Sequence, residues 1–263
     1  MKNNKLLLKM RVIIVCVVMG LLLGCVSNNT VNKVSKEKVI DRGKALELHV
    51  QMALGYIDKG SRESARHHLV KAFEINKESA TATGAMAMLY QLEGEPTLAE
   101  EQFKLALKRD KNFTLGHNNY GVFLYNQKRY ELALEEFEKA AADLAYSGRS
   151  QALTNVGKAS LKLGNMTRAK AAFEHAGILD RSNAEAFIEL ADINFQKQEY
   201  SEAKKYLDQY ESVGQRSPRS ILLAIRLERV FGNKDKEATL ANSLKANFPY
   251  SKEYLEYKQN LVY

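Results

Sequence analysis

The sequence predicts an all-α, right-handed solenoid of about five to six helix-turn-helix repeats, preceded by a secretory leader. Three observations predict it. First, alanines recur at a fixed spacing: Ala65, Ala99 and Ala133 are 34 residues apart, Ala169 follows after 36 and Ala203 after another 34. Second, a large apolar residue stands four positions beyond each alanine (Leu69, Phe103, Phe137, Phe173, Leu207), and a small one stands twelve before it (Ala53, Ala87, Gly121, Gly157, Ala191). Third, the unit is two amphipathic stretches joined by a polar turn, and only three prolines interrupt 263 residues. Small residues let two helix backbones approach, and bulky ones fill the space around the junction.

A 34-residue period with this small/large alternation is the signature of the tetratricopeptide repeat (TPR). Residues 1–24 read as a lipoprotein signal peptide. Lys2, Lys5, Lys9 and Arg11 form its basic end, and Val12 to Leu23 is an apolar run of twelve broken only by Gly20. That run is short of the roughly 20 residues a membrane span needs. Its end, Leu22-Leu23-Gly24-Cys25, resembles the lipobox of bacterial lipoproteins, which makes Cys25 the expected site of lipidation. Cys16 lies inside the leader, so no thiol is left over for a disulfide or a metal site. Val26 stands where an aspartate would retain an enteric-type lipoprotein at the inner membrane, which points to the outer membrane. The polar stretch that follows completes a tether, residues 25–41.

Five repeats are expected over 42–216. The first carries Ala53 and Tyr56, then the turn Lys59-Gly60-Ser61-Arg62, with Gly60 suited to a left-handed C-cap and Ser61 to an N-cap. The second turns at Glu93-Gly94-Glu95-Pro96 and the third at Asn126-Gln127-Lys128-Arg129. Two extra residues between Ala142 and Ser150 predict a longer loop before the fourth repeat. Lys77 and Lys111 replace the proline that often ends a TPR, which predicts looser inter-repeat turns. Residues 217–263 read as a divergent sixth repeat with capping helices: Ser217-Pro218 starts a helix, and Ile221 to Ile225 is too apolar to face water.

Composition narrows the function classes. The chain has 39 basic and 31 acidic residues; without the four leader cations the balance is 35 to 31, too mild to imply nucleic acid. No basic stripe with interleaved aromatics occurs. His67 and His68 are adjacent, so they point to different helix faces, and Glu63 with His67 lacks a third ligand. The carboxylate pairs Glu100-Glu101 and Glu135-Glu136 read as solvent-facing. No phosphate loop, nucleophile motif or His-Glu-x-x-His is present, so neither an enzyme, a cofactor nor a small-molecule substrate is expected.

What remains is a protein-binding groove on the first helices of the repeats. Its expected lining is Val50, Leu54 and Ile57, then Met88 and Leu92, then Asn118, Val122 and Tyr125. Lys158, Lys162 and Asp192 hold comparable positions further on, so the groove is apolar in its first half and mixed in its second. Asn118 is placed to hydrogen-bond a peptide backbone.

Three strings carry a closer resemblance: Asn118 to Tyr130 (NNYGVFLYNQKRY), Arg219 to Leu227 (RSILLAIRL) and Phe248 to Tyr254 (FPYSKEY). With the lipobox and the repeat count, they make the chain similar to the PilW/PilF lipoproteins of type IV pilus biogenesis. The resemblance implies a pilotin, which binds subunits of the outer-membrane secretin and promotes their localisation and assembly into a ring. The residues alone also admit another role, a TPR lipoprotein adaptor that tethers cell-wall or other envelope proteins.

Overall fold

The computed structural model describes residues 41–259, and these fold into thirteen helices with no strand among them. The leader, Cys25 and most of the tether lie outside the described residues. Twelve helices form six pairs. They are α1 (Arg42–Asp58) with α2 (Arg62–Ile75), α3 (Ala80–Glu93) with α4 (Pro96–Arg109), and α5 (Thr114–Asn126) with α6 (Tyr130–Ala142). Next come α7 (Arg149–Lys162) with α8 (Met166–Leu179), α9 (Ala184–Gln196) with α10 (Tyr200–Val213), and α11 (Pro218–Val230) with α12 (Lys234–Asn247). A last helix, α13 (Lys252–Gln259), packs on α11. The first helix of each pair also touches the first helix of the next along much of the array, building one wall. This is an all-α TPR solenoid.

The small/large alternation is direct packing between the two helices of a pair. All five period-setting alanines are fully buried, and so are the bulky residues four positions on. A Cβ added to Gly121 would lie 2.6 Å from the Phe137 ring, and one added to Gly157 would lie 2.6 Å from the Phe173 ring. The glycines are therefore the space that the rings occupy. The sixth pair inverts the arrangement: Ile225 stands at the small position and Ala241 at the large one, and both are buried in the same C-terminal cluster. Complementary volume is preserved although the sequence pattern is lost. Ile221 to Ile225 is buried throughout, as its composition requires.

Each pair turns on one residue with positive φ: Gly60, Gly94, Lys128, Gly164, Gln198 and Gly232. Gly232 follows Gln198 at the repeat spacing, which makes α11–α12 a sixth repeat in backbone geometry. Lys128 and Gln198 hold this left-handed conformation with a Cβ, at a cost of about 1–2 kcal/mol each that the packed helices on either side must offset.

Caps and linkers differ in part from expectation. Ser61 occupies the N-cap position of α2 but its side chain makes no capping bond; its backbone N–H instead donates to the Tyr56 carbonyl at 2.8 Å. Ser217 does cap α11, in a reciprocal box with Ser220 and with Pro218 in the first turn. The inter-repeat turns that lack proline are closed by side chains. Asn76, Asp110, Asp143 and Asp180 each accept from the backbone N–H two residues on, at 2.9 Å. The turns at Lys77 and Lys111 are thus tied rather than loosened. The linker after α6 spans 143–148, two residues longer than its counterparts, as the spacing predicts.

Two carboxylates read as solvent-facing are not. Glu136 is buried and meets His117 Nδ1 at 2.6 Å and Lys139 Nζ at 2.6 Å. Glu100 is half-buried, accepting from Arg129 at 2.7 Å and from the Tyr120 hydroxyl at 3.1 Å. The hydrogen bond from Arg129, reinforced by Lys104 and Tyr120, holds Glu100 at a pKa of about 2. Their neighbours Glu101 and Glu135 do face solvent.

Candidate functional site

The wall built by α1, α3 and α5 contains an apolar recess of about 330 Å³. Val50 and Leu54 from α1, Met88 from α3 and Leu115 and Asn119 from α5 line it, with Phe113 of the preceding linker. The recess exists because two glycines admit that ring. A Cβ on Gly84 would stand 2.9 Å from Phe113, and one on Gly116 would stand 2.2 Å from it. Leu115 is 40% exposed, so an apolar side chain faces the recess from its open rim. At ~25 cal/mol per Å², covering a few such groups contributes several kcal/mol before association costs are subtracted.

The structure places the eight expected groove residues unequally. Val50, Leu54 and Met88 come together in the recess. Ile57 and Leu92 pack, half-buried, on the core of the first two repeats. Gln91, not Leu92, holds the repeat position of Ile57 and Tyr125, one residue earlier. Val122 and Tyr125 pack on the central core, and Tyr125 stands edge-on to Tyr130 with ring centroids 5.2 Å apart. Burial raises the Tyr125 pKa, and the hydroxyl also feels the charges of Lys158, Glu189 and Glu185 in the next two repeats. Asn118 is buried and accepts from Asn155 at 3.0 Å, so its carbonyl is already engaged. Asn119, Phe113 and Leu115, which line the recess, were not singled out by the sequence pattern. Counting repeat positions from Val50 reaches Gly84 and Asn118 and passes over all three.

Further along, the same wall is charged. Lys158 pairs with Glu185 at 2.7 Å, and Arg226 pairs with Glu256. Arg219 lies between two carboxylates, at 2.6 Å from Glu189 and with its Nε donating to Asp192 at 2.7 Å. Burial works against the Arg219 charge, but the hydrogen bonds to Glu189 and the nearby Asp192 carboxylate raise its pKa well above the ordinary value. Burial raises the Asp192 pKa despite that arginine. These groups satisfy one another across α7, α9, α11 and α13.

Comparison with known proteins agrees with the TPR fold. The Tetratricopeptide repeat family model matches residues 85–147 and 156–221. The Type IV pilus assembly protein PilF of Pseudomonas aeruginosa is 38% identical over 237 residues, spanning 90% of this chain and 93% of that protein. The chain belongs to the PilF family. A solved structure from the functional characterisation of Pseudomonas aeruginosa PilF superposes with a TM-score of 0.78, at 38% identity, over 83% of this chain and 99% of that one. The structure of PilW, described as a widely conserved type IV pilus biogenesis factor, superposes at 0.69 with 26% identity, over 84% of this chain and 99% of that one. The similarity to PilF thus spans 90% of this chain.

Proposed function

We propose that this chain is a pilotin of type IV pilus biogenesis. It is an outer-membrane lipoprotein, anchored by acyl chains on Cys25, that binds secretin subunits and promotes their localisation and multimerisation. The observation that carries the reading is the recess of Val50, Leu54, Met88 and Leu115 on the wall of a protein whose relatives are a type IV pilus assembly protein and a pilus biogenesis factor. An apolar peptide segment fits there, docking its side chains on the recess and its backbone against Asn119.

The test is a deletion strain assayed for secretin multimers. Their loss, restored by the wild-type chain but not by Cys25→Ser, supports the reading. Undiminished multimers in the deletion strain would leave the adaptor role, tethering other envelope proteins, in its place.

A further inference from the structure

We infer that His49 and His68 form a two-histidine site for a late first-row divalent metal ion of the Zn²⁺ or Ni²⁺ type, clipping α1 to α2. The two Nδ1 atoms, one from each helix, converge to 3.1 Å. Zinc–imidazole bonds are about 2.0–2.1 Å, so two nitrogens on a tetrahedral ion stand roughly 3.3 Å apart. The rings therefore need to part by only a few tenths of an ångström.

The rings are held in place. Tyr56 stacks on His68 with centroids 5.5 Å apart and planes 7° from parallel, and His67 stands edge-on to His68 at 5.3 Å. Beneath them Ala53, Ala65 and Leu69 are fully buried, so the two backbones are fixed by the small/large junction of the repeat. Both rings are half-buried, which leaves one side open to water.

His117 and Glu136 lie 68 residues after His49 and His68, at the same two repeat positions. There the repeat brings together a histidine and a carboxylate, 2.6 Å apart, which complement each other in charge. In the first repeat the same geometry brings together two imidazoles. Their complement is an acceptor of two lone pairs. Without a metal, one Nδ1–H donates to the other Nδ1. With a metal, that proton moves to Nε2 of its own ring, both Nδ1 lone pairs bind the ion, and no net proton or electron is exchanged. Imidazole nitrogen suits zinc, nickel and copper rather than magnesium or calcium. Among the described residues no third histidine, cysteine or carboxylate converges on the pair, so water completes the coordination and affinity is modest. Neither ring lines the apolar recess, so the inference is independent of the pilotin reading.

The test is calorimetric titration of the purified full-length chain, its two cysteines blocked by alkylation, with zinc chloride, compared with His49→Gln, His68→Gln and His67→Gln, each checked for helicity. The account expects one ion per chain, with affinity falling about tenfold or more in the first two variants and little changed in the third. Equal affinity in all four proteins, or loss in His67→Gln alone, overturns it. Should a variant lose its fold, the unsubstituted chain decides: one equivalent of Cu²⁺ must show electron paramagnetic resonance coupling to two imidazole nitrogens, and coupling to one or none contradicts the site.

Discussion

The two halves of the repeat wall meet the same structural demand with opposite chemistry. In the first three repeats Val50, Leu54, Met88 and Leu115 leave an apolar recess open to a partner. In the last three, Lys158, Glu185, Glu189, Asp192, Arg219 and Arg226 pair with acidic or basic neighbours. Apolar surface left uncovered gains when a partner covers it. Charges that already satisfy one another gain little from a partner and cost desolvation to cover. On the proposed reading, the contrast puts docking in the first half and inter-repeat cohesion in the second.

The sharpest way to break that contrast is to treat the charged half as the binding surface. Arg219→Met leaves Glu189 and Asp192 half-buried without their shared cation. Because the guanidinium is partly exposed, it should cost about 1.5–3 kcal/mol in urea melts while secretin binding by the folded protein is unchanged. Lost binding with unchanged stability would reverse the assignment. A smaller effect tests whether both halves rest on the same core. Gly121→Ala drives a Cβ into the Phe137 ring in the third repeat and should cost about 1–3 kcal/mol, with Gly157→Ala behaving alike in the fourth. Unequal costs would show that the two halves are built on different junctions.

The smallest effect is a pH dependence confined to the third repeat. His117 meets acceptors at both nitrogens: Glu136 at 2.6 Å and the Lys111 carbonyl at 2.9 Å. That geometry requires both nitrogens to donate, which only the charged ring can do. The Glu136 hydrogen bond and the Lys111 carbonyl raise the His117 pKa above 6.5, against burial and the Lys139 charge. Its contribution is therefore complete below about 6.5 and is lost as pH rises through the higher folded value. Burial opposes ionisation of Glu136, but its bonds to His117 and Lys139 lower its pKa, so its own contribution is lost only on acidification. His117→Gln should cost about 1 kcal/mol at pH 6 and progressively less as pH rises through the raised folded value in thermal melts. A difference that does not change with pH would mean that the ring is held neutral.

The fold was legible because each structural position recurs. Ala133 and Phe137 declare themselves through four other repeats that carry the same sizes. The inverted pair Ile225 and Ala241 was not legible, because volume is conserved across two helices while each residue alone breaks the pattern. Buried polar groups escaped for a related reason. Glu136 reads as surface until His117, nineteen residues earlier, is placed against it, and Asn118 reads as a free amide until Asn155 arrives from the next repeat. The recess was half legible. Val50, Leu54 and Met88 follow from counting, whereas Phe113 and Leu115 enter only because Gly84 and Gly116, in neighbouring repeats, make room for one ring.

The claim that the recess is the docking site is tested most directly by co-purifying secretin subunits with Leu54→Asp/Met88→Asp, at low and moderate salt, with helicity followed by circular dichroism. Both side chains line the recess and each is only partly buried, so charge can be placed there without opening the core. The account predicts a folded double variant that no longer retains the secretin, beside a wild-type complex that survives moderate salt because its main contribution is not ionic. A folded double variant that still retains the secretin would contradict it.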